Sequence, residues 1–144
     1  MEKQDFRFFC PFRVRYSEVD MQGVVFNAHY LTYCDTAITE FMRSLEYVYT
    51  IESVKETGED FHLVKSLIEY KVPIYFDDEL EVGVRAGRIG RTSLTWEIGM
   101  FRKGEERLLA TGEIVWVHVN LAEHRPIALP EVLIERLQEI VGNE

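Results

Sequence analysis

The pattern of hydrophobic and polar positions first shows a period of two. Between residues 6 and 16 the even positions carry hydrophobic side chains, whereas the odd positions include three arginines and a proline. The hydrophobic set is Phe6, Phe8, Cys10, Phe12, Val14 and Tyr16. Alternation of this kind is typical of a β-strand with one face buried. We therefore predict a strand over residues 6–16.

The pattern then changes to the period of a helix. In residues 27–47 the hydrophobic positions are 30, 31, 34, 37, 38, 41, 42 and 45, with polar residues between them. This stripe predicts an amphipathic α-helix about 30 Å long. Asn27 is the predicted N-cap, and Phe26 and Leu31 have the spacing of a hydrophobic staple.

The rest of the chain reads mainly as strands. Residues 49–60 fit either a short helix or a loop, and hydrophobic alternation then follows in four runs, over residues 68–76, 80–86, 94–100 and 108–119. The turns between these runs lie at 77–78, 87–91 and 103–105, and they are short enough to join antiparallel neighbours. Residues 130–141 predict a second amphipathic helix, with Pro130 near its start.

This order of elements predicts an α+β fold. One long helix must bury a wide hydrophobic stripe, and a sheet of about five strands is its only large partner. We expect a curved antiparallel five-stranded sheet wrapped around one long central helix. The 144 residues fit a single domain, 1–144.

Composition narrows the class of function. The chain has 25 acidic and 16 basic residues, a net charge of −9, which disfavours nucleic acid as a partner. No hydrophobic run reaches the roughly 20 residues of a membrane span, and residues 1–12 are too charged for a signal peptide. We therefore expect a soluble, cytoplasmic protein. Cys10 and Cys34 form no metal-binding or disulfide pattern and are predicted to be buried thiols.

Most familiar catalytic motifs are absent from the sequence, which contains no GxSxG, HExxH, CxxC pair, Walker loop or GxGxxG. One candidate remains, Asp20, which precedes the long helix. Main-chain N–H groups at a helix start lack internal partners, and in a turn loosened by Gly23 they could bind an oxyanion. Asp20 could equally do no more than satisfy a turn, and the residues alone leave both interpretations open.

The segment around Asp20 resembles a known family. Residues 14–40 read VRYSEVDMQGVVFNAHYLTYCDTAITE. The run Asp20, Gly23, Val24 and Val25, followed by Tyr30 on the helix, is similar to the signature of the 4-hydroxybenzoyl-CoA thioesterase family of hotdog-fold proteins. Similarity continues through GRTSL at 90–94 to the Arg-Pro pair at 125–126. The resemblance implies a hotdog fold and an acyl-CoA thioesterase that needs no metal or redox cofactor.

The resemblance also assigns roles. Asp20 would act as nucleophile or general base, the main-chain N–H groups of Phe26 and Asn27 would bind the oxyanion, and Tyr16 would orient the site. The remaining expected substrate-binding residues are Gly23, Tyr30, Arg91, Thr92 and Ser93. Val19 replaces the Thr or Cys that many members have before the aspartate. Asn27 stands where several bacterial members have a catalytic His.

Other residues are interpreted more cautiously. His29 either contributes an imidazole or is an ordinary first-turn residue. His62, His118, His124, Glu40, Cys34 and the carboxylates at 77–79 are interpreted as structural or solvated. A group of basic residues around two turns is either the site for the phosphates of coenzyme A or a set of ordinary surface residues. This group consists of Arg88, Arg91, Arg102, Lys103 and Arg107.

The expected partners are an acyl-CoA substrate and further copies of the chain. An exposed sheet edge favours a homo-oligomer, a dimer or tetramer, with each active site built from two chains. Three alternatives remain: a thioesterase for acyl groups on acyl carrier protein, a non-catalytic acyl-binding hotdog protein, and a dehydratase. A dehydratase would need a catalytic His on the central helix, where this chain has Asn27.

Overall fold

One curved antiparallel sheet wraps around one long helix in the computed structural model, which describes residues 1–142. The strands are β1 Phe8–Arg13, β2 Glu59–Tyr70, β3 Glu79–Ile89, β4 Ser93–Arg102, β5 Leu108–Asn120 and β6 Arg125–Pro126. The helices are α1 Ala28–Ser44, α2 Ile51–Thr57 and α3 Glu131–Gly142, with short 3-10 helices at Lys3–Asp5 and Tyr16–Glu18. The predicted α+β hotdog architecture is confirmed.

The strand order in the sheet is β1-β3-β4-β5-β2, and every pairing is antiparallel. The five long strands match the predicted number, whereas the two-residue strand β6, which pairs with β5, was not predicted. Strands β1 and β2 form the two edges. The turns at 87–91 and 103–105 connect neighbouring strands, as expected.

Helix α1 forms the centre of the core. Its buried side chains are Tyr30, Tyr33, Cys34, Ala37, Ile38, Phe41 and Met42. They pack against the buried face of the sheet, where Trp96 and Ile98 of β4 are fully enclosed. The helix and the sheet approach each other closely at Gly112 of β5, where an added Cβ would lie 3.0 Å from the Cys34 Sγ. Both cysteines are buried and free, as predicted.

The bounds predicted for the strand over residues 68–76 are wrong. The strand is β2, which ends at Tyr70, and the following residues form a crossover. The N–H groups of Lys71 and Val72 both donate to the Leu109 carbonyl at 3.0 Å, and this convergence turns the chain away from β5. The turn at 77–78 therefore does not join neighbours, because β2 pairs with β5 and β3 pairs with β1 and β4.

The segment before the first helix also differs from its predicted form. Strand β1 ends at Arg13, and Tyr16 lies in a 3-10 helix with 83% of its surface exposed, not on a buried strand face. Asn27 is the N-cap residue of α1, as predicted, but it has helical backbone angles and its side chain makes no capping hydrogen bond. The ambiguous segment 49–60 contains α2, which is capped by the side chain of Thr50. Within residues 1–142, no helix is long and apolar enough to cross a membrane.

We expect Gly112→Ala to lower the free energy of unfolding by about 1–3 kcal/mol, because the new methyl group crowds Cys34 and Ile98. Urea denaturation measures this change. In a Cys34→Ala background the sulfur is gone, so the same substitution should cost less. Equal costs in the two backgrounds would show that this contact does not limit the approach of helix and sheet.

Candidate active site

Asp20 lies in a narrow turn just before α1. Its N–H donates to the Val24 carbonyl at 2.9 Å, and its own carbonyl accepts the Gly23 N–H at 3.0 Å. Gly23 has a φ of 75°, a conformation that glycine adopts without strain. The carboxylate oxygen Oδ1 accepts the Gln22 N–H at 2.8 Å. The turn therefore presents an exposed carboxylate that is fixed at one oxygen, while Oδ2 has no hydrogen-bond partner within residues 1–142.

The main chain between this turn and α1 is largely hydrogen-bonded. The Val25 N–H donates to the Ile74 carbonyl at 2.8 Å, and the Phe26 N–H donates to the Glu18 carbonyl at 2.9 Å. The Phe26 N–H is thus occupied, and the expectation that it binds an oxyanion is not met in this structure. The Asn27 N–H has no acceptor among the described residues. Of the two expected donors, Asn27 is the one available at the positive end of the helix.

A buried carboxylate, Glu18, lies beneath this segment. Only 3% of the residue is exposed. Its Oε1 accepts the Arg15 N–H at 2.8 Å and the Tyr33 hydroxyl at 2.9 Å, and its Oε2 accepts the Arg15 guanidinium at 2.7 Å. Burial by itself raises the pKa of Glu18, but the hydrogen bonds from Arg15 and Tyr33 outweigh burial and hold that pKa below its usual value.

Sequence reasoning missed the Glu18 network. Arg15 and Glu18 have a spacing that permits local pairing, but Tyr33 comes fifteen residues after Glu18 and is not one of the positions in the predicted helix stripe. Burial and these hydrogen bonds raise the pKa of Tyr33 above its usual value, so its hydroxyl stays protonated as a donor. Only the fold brings the three side chains together.

The predicted aromatic residues take up different positions around the turn. Tyr16 contacts the ring of Phe76, with centroids 6.0 Å apart, and makes no hydrogen bond to Asp20. Tyr30 is buried and meets Tyr70 of β2 edge to face at 4.8 Å. Phe26 is 48% exposed. These placements leave Phe26 and the Tyr30–Tyr70 pair as candidates for an acyl pocket, whereas Tyr16 has no visible orienting contact.

The imidazole of His29 meets the Phe26 ring edge to face, with the ring centroids 6.3 Å apart, and His29 is partly exposed. Its imidazole has no hydrogen-bond partner among residues 1–142, so this geometry does not select between the two interpretations. His118 is a buried structural residue, as interpreted from the sequence: its Nδ1 lies 2.7 Å from the Ala128 carbonyl and its Nε2 lies 3.7 Å from Glu59. Among the described residues, no group of three or more His, Cys, Asp or Glu side chains could hold a metal ion.

The stretch Arg91, Thr92 and Ser93 lies far from Asp20 in the same chain. The Thr92 carbonyl accepts the His118 N–H at 2.8 Å, which places this turn beside the end of β5. The Asp20 turn instead lies beside the start of β3, since the Phe76 N–H donates to the Gly23 carbonyl. Strand β3 has eleven residues, so its length of roughly 35 Å separates the Thr92 turn from the Asp20 turn. A single chain does not bring these two parts of the expected site together.

The expected basic cluster is also divided between the two ends of the sheet. Arg88 and Arg91 belong to the β3–β4 end, whereas Arg102, Lys103 and Arg107 belong to the β4–β5 end. Arg102 pairs with Asp78 at 3.0 Å, and Lys103 lies 3.8 Å from Glu79. The prediction of one joint cluster is therefore wrong, because consecutive turns of an antiparallel sheet lie at opposite ends.

A sequence profile of the Thioesterase-like superfamily matches residues 14–137. A putative esterase of Aquifex aeolicus is 26% identical over 88% of this chain and 94% of that protein. An acyl-CoA thioesterase, YbgC, of Haemophilus influenzae is 30% identical over 86% of this chain and 89% of that protein. A thioesterase crystallised with coenzyme A and Zn from Thermus thermophilus is 30% identical, with a TM-score of 0.77, 95% of this chain covered and 96% of that chain.

The Glu18 network predicts a pH dependence of stability. A carboxyl group whose pKa is lower in the folded protein stabilises the fold above its unfolded pKa, and this contribution is lost as the pH falls through the folded pKa. We expect the difference in unfolding free energy between the parent and Glu18→Gln to be greatest near neutral pH and to shrink in acid. Urea denaturation from pH 7 down to pH 3 measures it, and a difference that grows in acid would contradict the assignment.

Proposed function

This chain belongs to the Thioesterase-like superfamily, and from that membership we propose that it is an acyl-CoA thioesterase, which hydrolyses a thioester to a free acid and coenzyme A. The observation that carries the proposal is the exposed Asp20 carboxylate in the turn that leads into the helix start, where the Asn27 N–H has no acceptor among residues 1–142. The relatives named as acyl-CoA thioesterases support it. We extend the proposal to the 4-hydroxybenzoyl-CoA thioesterase family, on the Asp20 signature. A cytoplasmic location stays a prediction.

In the proposed reaction the thioester carbonyl lies between Asp20 and the helix start. The Asn27 N–H and the positive end of α1 stabilise the negative charge that develops on the carbonyl oxygen. As a general base, Asp20 takes a proton from the attacking water and returns it to the sulfur when the tetrahedral intermediate collapses, so that coenzyme A leaves as the thiol. As a nucleophile, Asp20 forms a mixed anhydride as the C–S bond breaks, the coenzyme A thiolate leaves and takes a proton from solvent, and water then hydrolyses the anhydride. Single-turnover hydrolysis in labelled water separates these routes, since label enters the Asp20 carboxylate only in the second.

We further propose that the active form is at least a dimer that pairs through β2. This strand has twelve residues and lies at the sheet edge, which leaves one side of its main chain unpaired. Its exposed hydrophobic side chains are Leu63, Val64, Leu67 and Tyr70. A long apolar edge of this kind favours pairing with a second copy. A tetramer would follow from the association of two such dimers.

Pairing through β2 would complete the site. The Glu59 end of β2 lies beside the turn of Thr92, whereas Tyr70 at the other end touches Tyr30 at the start of α1. In an antiparallel pairing about a two-fold axis, the Tyr70 end of one chain meets the Glu59 end of the other. Arg91, Thr92 and Ser93 of the partner subunit would then approach the Asp20 side of this chain, with Arg91 available to a phosphate of coenzyme A.

Asp20→Asn tests the catalytic proposal. We expect a loss of at least 100-fold in kcat on a panel of short-chain, long-chain and aromatic acyl-CoA thioesters, because the amide neither accepts a proton nor attacks a carbonyl. The matched control is Asp35→Asn, the same change at an exposed position of α1.

Three outcomes are distinct in that experiment. Parent-like hydrolysis by Asp20→Asn would overturn the role of Asp20. Faster turnover of carrier-bound thioesters than of every acyl-CoA would favour the acyl carrier protein alternative. Saturable binding of acyl-CoA with no turnover by the parent would identify a non-catalytic binding protein.

Leu67→Glu tests the proposed pairing. Each chain would place a new carboxylate inside the apolar contact, so we expect a shift to monomer and at least a tenfold loss of kcat/KM. Sedimentation equilibrium measures the mass. Val132→Glu is the control, since Val132 is an exposed hydrophobic residue of α3 and does not belong to the β2 edge. An unchanged oligomer in Leu67→Glu would contradict pairing through β2.

A further inference from the structure

We propose that Glu18 is a positioning residue for Asp20: it ties the base of the Asp20 turn to helix α1 and so fixes the distance between the carboxylate and the Asn27 N–H. The inference rests on the proposed role of Asp20 as the catalytic carboxylate. Glu18 does not reach the reacting atoms, because its carboxylate is buried under the turn and fully engaged with Arg15 and Tyr33.

The geometry of the main chain supports this role. Residues 18–26 form a miniature hairpin, with Asp20 and Gly23 in its turn and a bridge between Val19 and Val25. The hydrogen bond from Phe26 N–H to the Glu18 carbonyl closes the base of this hairpin at 2.9 Å. Any movement of Glu18 therefore shifts one arm of the hairpin, which carries Asp20, relative to the other arm, which leads into Asn27.

The side chain of Glu18 anchors that base to the core. Tyr33 is 2% exposed and lies on the buried stripe of α1, where its ring stacks on Phe12 of β1 with centroids 5.1 Å apart. Its hydroxyl donates to Glu18 at 2.9 Å. The carboxylate thus joins three parts of the chain, namely the turn, the helix and, through the Tyr33 ring, the edge strand.

The presence of a charged side chain at the buried position 18 supports a positioning role. A buried carboxylate is costly to desolvate, and a hydrophobic residue of similar size often stabilises a fold as well or better. Glu18 meets that cost with two hydrogen bonds to each carboxylate oxygen, which come from the Arg15 main chain, the Arg15 guanidinium and the Tyr33 hydroxyl. These hydrogen bonds stabilise the Glu18 carboxylate and also fix its orientation, and a positioning role requires a fixed orientation.

A purely structural role for Glu18 predicts something different. It would lower stability when Glu18 is changed, but each folded molecule would keep its turnover number. A positioning role predicts a loss of kcat in molecules that are folded, with little change in KM, because binding of the coenzyme A portion does not depend on the Asp20–Asn27 distance.

The test compares Glu18→Gln and Tyr33→Phe with the parent and with Glu97→Gln. Glu97 pairs with Arg85 at 3.1 Å between β3 and β4, so its change removes a partly buried charge pair away from the turn. We expect kcat to fall at least tenfold in Glu18→Gln and by a smaller factor in Tyr33→Phe. In both variants KM should stay within twofold of the parent value. Glu97→Gln should keep full activity. If Glu18→Gln does not fold, Tyr33→Phe decides the test. Parent-like kcat in the folded variants would overturn the inference.

A second test combines Glu18→Gln with Asp20→Asn. Because Glu18 acts through Asp20, adding Glu18→Gln to Asp20→Asn should change the residual rate less than twofold; a further tenfold loss would overturn the inference. If Asp20→Asn hydrolyses substrate like the parent, the proposed function fails instead.

Amide hydrogen exchange tests the geometry without measuring activity. We expect the Phe26 amide to exchange at least tenfold faster in Glu18→Gln than in Glu97→Gln, and equal exchange rates would contradict the anchoring.

Discussion

Helix α1 buries seven side chains against the concave face of a single sheet, and most other features follow from that packing. Full burial of a large hydrophobic side chain contributes about 1.5–3 kcal/mol, so this contact dominates the stability of the fold. The sheet must curve to cover so wide a stripe. It also has to let the helix backbone come close, and Gly112 opposite Cys34 permits that approach where a larger residue would collide.

The same packing determines where chemistry can occur. The chain must pass from the edge strand β1 into the centre of the sheet, and the segment that makes this entry contains Asp20 and ends at Asn27. The hydrogen bonds of Glu18 hold the segment against Tyr33 of the helix. The same short segment therefore carries the exposed Asp20 carboxylate and, where the helix begins, an Asn27 N–H group that has no acceptor among the described residues. That juxtaposition suits a reaction in which negative charge develops on a carbonyl oxygen.

The single sheet also leaves the structure with an exposed apolar edge. Strand β2 pairs on one side only and carries exposed Leu63, Val64 and Leu67. Within one chain, Asp20 and the turn of Arg91 lie at opposite ends of the sheet. A two-fold pairing through β2 would remove the exposed edge and at the same time bring those two ends together. One association would thus account for both features.

The sequence by itself determined the α+β class, the long central helix, the strand count and the position of Asp20 before the helix, because local periodicity and turn residues report directly on which face of each element is buried. The alternation over residues 68–76 did not reveal that β2 begins at Glu59 and crosses over after Tyr70, because strand order depends on contacts between distant residues. Only the tertiary structure decided that Glu18 is buried against Tyr33, that the Phe26 N–H is occupied and that strand β2 lies at an edge of the sheet. Each of these depends on distances between residues that are remote in the chain, and no local pattern encodes such distances.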